Sequence, residues 1–265
     1  MKPKIIIPTG LGINSHEELK YCFELGGAEV DFRLINELVA NPKLLENYQG
    51  MGLAGGFAMG DQLGAGQSLS SRIRLSGLKE KLEEKIDDVN FPIYSVCNSL
   101  QLMAKLNLFT VQVGTTKNSS GKHETSYWDI GVNEKCDTVW LSELKGYVNP
   151  IFAPISHGEG RIYVSEENLK IAQEQNIIAL TYQKGHICDF FKSSRNHYNP
   201  NGSVTDIAGF GWNNNLVLFP HFERLHHDFQ RPDRQYVKEE KGTTKGVYEP
   251  TYLMFKAAVD FMKGN

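Results

Sequence analysis

The stretch that decides the fold runs Phe91-Pro92-Ile93-Tyr94-Ser95-Val96-Cys97-Asn98-Ser99. Its first part is apolar and predicts a strand, and the apolar spacing of residues 100–106 predicts a helix. Cys97 stands between them with a small residue two positions away on each side, as in a nucleophile elbow. Such a turn lifts the nucleophile above the sheet edge, and the helix N-terminus behind it favours a thiolate. A lone cysteine is more often inert core, but this setting makes Cys97 a candidate nucleophile.

Strand-like and helix-like segments alternate on both sides of this stretch. Strands are predicted at residues 5–7, 29–32, 51–54, 138–141, 177–182 and 216–219. Helices are predicted at 17–25, 35–39, 78–86 and 252–262, the first of them with a capping-box pattern at Ser15. The alternation predicts an α/β, flavodoxin-like fold of three layers, with a mainly parallel sheet and helices on both faces. We expect a single domain over residues 1–265, with a polar excursion near 230–249.

Composition and charge exclude several classes of protein. The 265 residues carry a net charge of -3, whereas binding nucleic acid through its phosphates needs a basic surface. The apolar run at the N-terminus is too short for a signal peptide, and no apolar segment approaches the length of a transmembrane helix. The four cysteines form no CxxC motif. We therefore expect a cytoplasmic protein without a metal site, a nucleic-acid partner or a membrane partner.

A histidine and an acidic residue late in the chain are candidates for the base that a cysteine nucleophile needs. His221 and Glu223 follow a strand-like run and are two positions apart, which in extended chain puts both side chains on one face. A neighbouring carboxylate fixes the tautomer of a histidine and stabilises its charged form, as in a Cys-His-acid triad. Taken alone, a histidine at a strand end and a surface pair of Glu223 with Arg224 explain the pattern better.

Two glycine-containing loops are the remaining polar segments of interest. Residues 55–66 lack the Gly-Lys-Ser/Thr ending of a P-loop, so an oxyanion hole is a better use of their backbone N–H groups, with a plain turn as the alternative. In residues 154–161, His157 and Glu159 alternate with glycines but are too few ligands for a metal. His226 and His227 near Asp228 are more typical of a solvated surface.

Together these segments resemble the glutaminase component of phosphoribosylformylglycinamidine synthase, a triad-type class I glutamine amidotransferase of purine synthesis. The resemblance covers nearly the whole chain. Six motifs occur in the family's order: the glycine loop 55–66, Cys97-Asn98 with Gln101, residues 118–122, His157-Gly158-Glu159-Gly160-Arg161, Asn199-Pro200-Asn201-Gly202-Ser203 with 207–209, and Pro220-His221-Phe222-Glu223-Arg224. The chain departs from the family at Ser95 and Ser99, where the elbow usually has glycine, and at Ala54 and Phe222, where proline is common.

The resemblance implies a role for each motif. It implies a catalytic triad of Cys97, His221 and Glu223. The implied oxyanion and substrate contacts are Gly55, Gly56, Asn98 and Gln101, and the candidate partner contacts are His157, Glu159 and Arg161. The chain would hydrolyse glutamine and supply ammonia to a synthetase subunit that makes formylglycinamidine ribonucleotide, with room for a small third subunit. No cofactor is expected in this chain, because ATP and Mg²⁺ would bind only to the synthetase.

Other interpretations of the same residues stay open from the sequence. A different cysteine hydrolase can use the same fold, such as a γ-glutamyl hydrolase or a DJ-1-like protein, because a fold does not fix a function. The altered elbow also allows a catalytically weak regulatory or scaffolding subunit. A metal site built from the histidines is the weakest of these alternatives. The motifs at 157–161 and 199–203 favour the amidotransferase of purine synthesis.

Overall fold

Three consecutive isoleucines form a strand inside the sheet. Ile5, Ile6 and Ile7 are all fully buried, as expected where helices cover both faces of a parallel sheet. A computed structural model describes residues 1–190, 198–235 and 246–264. Its strands are β1 (Lys4–Thr9), β2 (Glu29–Leu34), β3 (Gly50–Leu53), β4 (Ile93–Val96), β5 (Gly114–Thr116), β6 (Glu124–Val132), β7 (Phe152–His157), β8 (Arg161–Tyr163), β9 (Ile178–Gln183), β10 (Ile207–Trp212) and β11 (Asn215–Leu218).

Nine of these strands form one sheet in the order β2-β1-β3-β4-β11-β10-β9-β6-β7. The pairs from β2 to β11 are parallel, and the pairs from β11 to β7 are antiparallel. β5 and β8 pair separately as a short antiparallel sheet. The predicted α/β class is therefore confirmed, and the later strands extend the sheet in antiparallel fashion.

The described residues contain eight α-helices, five of which pack together in two groups. Their bounds are α1 (His16–Gly26), α2 (Ile35–Ala40), α3 (Gln67–Arg74), α4 (Leu78–Asp87), α5 (Asn98–Leu106), α6 (Glu166–Glu174), α7 (His186–Phe190) and α8 (Glu249–Gly264). α1 packs against α8, whereas α3 packs against α4 and α5. The strand order reverses at β1, which has β2 on one side and β3 on the other. Because parallel crossovers are right-handed, this reversal puts the two groups on opposite faces.

The β10–β11 hairpin brings the late part of the chain beside the cysteine stretch. Its turn residues Asn213 and Asn214 have φ values of 46° and 61°, a region that asparagine tolerates better than most residues. The hairpin reverses the chain so that β11 runs parallel to β4, with Leu218 paired to Val96. The residues that follow these two strands therefore meet at one edge of the sheet.

The strand predicted at residues 138–141 is wrong, because Val139–Leu144 is a 3-10 helix. Three hydrogen bonds join it to the start of β11. The Val139 N–H donates to Asn214 Oδ1 at 2.8 Å, the Trp140 indole to Asn214 O at 2.8 Å, and the Thr138 hydroxyl to Asn215 O. The segment also packs on α8. These tertiary contacts override the β propensity of Thr138 and Val139.

The capping box predicted at Ser15 is also absent. Ser15 precedes α1, but its side chain makes no cap hydrogen bond. Instead its hydroxyl oxygen accepts from the Gly55 N–H at 2.9 Å. The side chain is fully buried and joins the start of α1 to the glycine loop. The sequence pattern thus marked the correct helix start but assigned the hydroxyl the wrong partner.

The predicted polar excursion near 230–249 lies partly outside the described residues, which omit 236–245. Before that gap the chain forms a 3-10 helix at Asp228–Gln230, and after it α8 begins at Glu249. The closing helix therefore starts three residues earlier than the predicted 252. In the described parts of the chain, no helix combines the length and apolarity needed to cross a membrane.

Candidate active site

Cys97 lies at a sharp turn between β4 and α5. Its backbone has φ 55° and ψ -108°, a strained combination for a residue with a side chain and one that persists only when its surroundings enforce it. The Cys97 N–H donates to Leu218 O at 2.8 Å, which fastens the turn to the end of β11. The side chain is 6% exposed, and its sulfur contacts Ser156 O at 3.6 Å. This is the geometry of a nucleophile elbow.

The two serines that replace the usual elbow glycines fit without opening the turn. Ser95 is fully buried in β4, and its hydroxyl has no hydrogen-bond partner among the described residues. Ser99, in the first turn of α5, donates its hydroxyl to Ala54 O at 2.6 Å. That bond ties the N-terminus of α5 to the residue just before the glycine loop. The Ser99 hydroxyl therefore has a hydrogen-bond partner in the turn, whereas the Ser95 hydroxyl has none among the described residues.

His221 and Glu223 form a buried pair just beyond β11. Glu223 Oε1 lies 2.6 Å from His221 Nδ1, and the Glu223 side chain is 0% exposed. The spacing predicts that the pair lies on an extended strand. This is wrong, because Phe222–Arg224 is a 3-10 turn. Burial favours the uncharged form of His221, but the charges of Glu223 and Cys97 and its hydrogen bond with Cys97 outweigh burial. The pKa of His221 is raised to about 10. Burial alone would raise the pKa of Glu223, yet His221 lowers it.

Gly55 lies between the histidine and the cysteine. A Cβ at this position would stand 2.8 Å from His221 Cε1 and 3.3 Å from Cys97 Cβ. Any side chain there would push the two groups apart, so the position requires glycine. The structure therefore brings together residues from three distant segments of the chain: Gly55, Cys97, and the pair His221 and Glu223.

The backbone N–H groups of Gly56 and Asn98 donate to no backbone acceptor among the described residues, as the predicted oxyanion role requires. Gly56 has φ 146°, and a Cβ there would collide with Gly12 O. In the part of the chain that the structure describes, the Gly56 N–H donates to no acceptor, while its neighbour Phe57 donates to Gly12 O at 2.7 Å. Asn98 is the first residue of α5, so its N–H has no partner within the helix.

The side chains of Asn98 and Gln101 belong to a network that holds the glycine loop. Asn98 Oδ1 accepts from the Ala58 N–H at 2.9 Å, and its amide nitrogen donates to Asp61 Oδ2 at 3.0 Å and to Gln101 Oε1 at 2.9 Å. Gln101 Nε2 donates to Glu159 O at 2.9 Å. Oxygen and nitrogen of the Gln101 amide are thus already engaged within the protein. Its predicted substrate contact stays a prediction.

The three candidate partner contacts differ in exposure. His157 is only 3% exposed, so its ring lies beneath the surface of this chain, and its contact with a partner stays a prediction. Burial lowers the pKa of His157 to about 3, which keeps the ring neutral. Glu159 is half-buried and accepts from the Ala65 N–H at 3.3 Å, whereas Arg161 is exposed and donates to Gly202 O at 3.0 Å.

One residue of the site was missed by the sequence analysis. Tyr94 is fully buried in β4, and its hydroxyl donates to Glu223 Oε2 at 3.2 Å. The hydroxyl of a buried tyrosine usually has a hydrogen-bond partner. A tyrosine in a predicted buried strand was therefore the available signal for a polar contact at this position. Within the described residues, no group of three or more histidine, cysteine, aspartate or glutamate side chains is arranged to hold a metal ion.

Comparison with known proteins assigns the family. The model of the CobB/CobQ-like glutamine amidotransferase domain matches residues 2–262. The chain belongs to this family. Among related amidotransferases, the phosphoribosylformylglycinamidine synthase subunit PurQ of Methanococcus maripaludis is 31% identical over 98% of this chain and 97% of its own. The PurQ of Dehalococcoides mccartyi is 31% identical over 87% of this chain and 89% of its own.

A solved structure has the same fold as this amidotransferase. The structure of PurLQS from Thermotoga maritima contains a chain that matches with a TM-score of 0.69 at 22% identity, covering 99% of this chain and 100% of that one. At this level of identity the likeness concerns the fold.

Proposed function

We propose that this amidotransferase hydrolyses glutamine to glutamate and ammonia, and that the ammonia is used to make formylglycinamidine ribonucleotide. The observation that carries the proposal is the buried arrangement of Cys97, His221 and Glu223 at a strained elbow, with free N–H groups beside it. Relatives that span the whole chain are named as PurQ subunits of the corresponding synthase. Both serines of the altered elbow fit the turn, which favours an active enzyme over a catalytically weak subunit.

The chemistry begins with the Cys97 thiolate, which Glu223 favours by stabilising the protonated His221. The sulfur attacks the side-chain amide carbon of glutamine, and the new oxyanion accepts hydrogen bonds from the N–H groups of Gly56 and Asn98. Each such donor is worth ~100-fold or more in rate. The C–N bond breaks as His221 gives its proton to the departing ammonia. Water then loses a proton to His221 and attacks the thioester carbon, which releases glutamate and regenerates the thiolate.

The ammonia needs an acceptor that this chain does not carry. We infer that a synthetase subunit receives it, because the relatives are named as subunits of a synthase and the matched structure is that of PurLQS. A small third subunit fits the same assembly. ATP and Mg²⁺ would bind to the synthetase, and this chain would need no cofactor of its own. Such an enzyme would act in the cytoplasm. Arg161 is exposed and remains a candidate for contact with the partner.

Replacement of the nucleophile tests the proposal. Cys97→Ala should lower glutamine hydrolysis at least ~1000-fold while leaving the circular dichroism spectrum unchanged, and a glutamine analogue should label Cys97 alone. The matched control is Cys136→Ala, because burial raises the pKa of that thiol to about 12 and keeps it unreactive. Hydrolysis should also rise when the synthetase subunit is added. Undiminished hydrolysis by Cys97→Ala would disprove the assignment.

A further inference from the structure

The carboxylate of Glu223 has a second partner besides the histidine. One oxygen, Oε1, faces His221 Nδ1 at 2.6 Å, and the other, Oε2, accepts from the Tyr94 hydroxyl at 3.2 Å. Both Glu223 and Tyr94 are 0% exposed. A buried carboxylate without hydrogen bonds to both oxygens would be strongly destabilised. The tyrosine therefore meets a requirement that the histidine alone does not.

We propose that Tyr94 is a positioning residue for the triad, which orients the Glu223 carboxylate and keeps it ionised so that it can support His221. This inference rests on the proposed function. The hydroxyl donates to Oε2, which directs Oε1 toward His221 Nδ1. The set of residues that controls the nucleophile is then a chain of four: Cys97, His221, Glu223 and Tyr94.

The protonation states of the two partners agree with this direction of the hydrogen bond. Burial, followed by the charge of Glu223, raises the pKa of Tyr94 well above its ordinary value, so the hydroxyl keeps its proton and acts as the donor. Burial raises the pKa of Glu223, but His221 chiefly, together with the charge of Arg224 and the backbone N–H of Glu223 itself, lowers it below its ordinary value. A hydrogen bond to the charged form stabilises that form. The glutamate is thus held as an anion between two donors.

The ring of Tyr94 is fixed by its neighbours, so the hydroxyl has little freedom to turn away. Its ring centroid lies 5.0 Å from that of Phe255 in α8 and 5.4 Å from that of Trp140. β4 itself pairs on both sides, with β3 and β11. The Glu223 backbone is held as well, because its carbonyl accepts from the Cys22 thiol at 3.7 Å and contacts His226 Nδ1 at 2.9 Å.

Tyr94→Phe removes the hydroxyl and keeps the ring. We expect kcat for glutamine to fall ~10-fold or more, the effect of losing one hydrogen bond to a charged group, with KM unchanged because Tyr94 lies behind Glu223. Without its donor, Glu223 takes up a proton more easily, so its pKa rises. The acid limb of the kcat/KM profile should therefore move to higher pH. A residue with only a packing role would leave that limb in place.

Tyr248→Phe is the matched control, because this hydroxyl is equally buried but donates to Phe152 O at 3.1 Å, away from the triad. It should leave kcat and the pH limb unchanged. In a Glu223→Gln background, Tyr94→Phe should have no further effect on kcat, a test that holds even where stability falls. Equal kcat and pH limb in Tyr94→Phe and wild type would overturn this inference alone. A wild type without glutaminase activity would instead overturn the proposed function.

Discussion

At the scale of single residues, the elbow contains two serines with opposite hydrogen bonding. Ser99 donates to Ala54 O at 2.6 Å, whereas the buried hydroxyl of Ser95 has no partner among the described residues. A made bond contributes about 1 kcal/mol, and its removal leaves a buried carbonyl unsatisfied. A buried hydroxyl without a partner is itself unfavourable. The same substitution should therefore act in opposite directions at the two positions.

Alanine at each position tests this contrast. Ser99→Ala should lower the free energy of unfolding by ~1–2 kcal/mol, because Ala54 O loses its donor. Ser95→Ala should be neutral or stabilising by up to ~1 kcal/mol, because it removes the unpaired hydroxyl and retains a small side chain. Urea unfolding of both variants and wild type gives the comparison. Equal destabilisation by the two substitutions would contradict it.

Sequence reasoning at this scale succeeded where a residue's role depends on its immediate neighbours. The small residues around Cys97 predicted the turn, and the structure has that turn. It failed where the role of a residue depends on a partner that is far away in the sequence. The Ser15 hydroxyl serves Gly55, and the Tyr94 hydroxyl serves Glu223, contacts that span 40 and 129 residues. No local pattern contains such partners.

At the scale of elements, the antiparallel half of the sheet was the harder part to predict. β10 reads Ile-Ala-Gly-Phe-Gly-Trp and is buried throughout, and its two glycines weaken the β signal. β7 contains Pro154, which argues against a central strand. β7 lies at the edge of the sheet, where proline is tolerated. Edge position is a property of the whole sheet, so the sequence of the strand alone did not reveal it.

The β10–β11 turn is the element that aligns His221 with Cys97, and its two asparagines differ in their side-chain bonds. Asn214 Oδ1 accepts from the Val139 N–H, and Nδ2 donates to Val89 O, both at 2.8 Å. Asn213 shares the positive φ without either bond. Glycine tolerates that φ at both positions, so substitution by glycine isolates the effect of the side chain.

We expect Asn214→Gly to destabilise the protein by ~1–3 kcal/mol, because the part-buried Val139 N–H loses its acceptor and the exposed Val89 carbonyl loses its donor. Asn213→Gly should change stability by less than ~0.5 kcal/mol. Thermal unfolding followed by circular dichroism measures both. If Asn213→Gly were as destabilising as Asn214→Gly, the backbone conformation rather than the side chain would hold the turn.

At the scale of the whole molecule, the C-terminal helix packs directly against the tyrosine behind the triad. The ring of Phe255 in α8 lies 5.1 Å from that of Phe23 in α1 and 5.0 Å from that of Tyr94 in β4. α1 and α8 lie near opposite ends of the sequence, and β4 lies between them. The aromatic cluster therefore links the packing of α8 to the ring of Tyr94, whose hydroxyl donates to Glu223.

Truncation of two buried side chains of α8 separates stability from this coupling. Phe255→Ala should cost ~3–5 kcal/mol and Met262→Ala ~2–5 kcal/mol, since each leaves a cavity in the core. Of these two side chains, Phe255 contacts the Tyr94 ring, whereas Met262 packs near Gly50 at the start of β3. At a temperature where both variants are folded, Phe255→Ala should lower kcat for glutamine and Met262→Ala should not. The losses from Phe255→Ala and Tyr94→Phe should be less than additive, because both act through the same hydroxyl; full additivity would show that α8 reaches the site by another route.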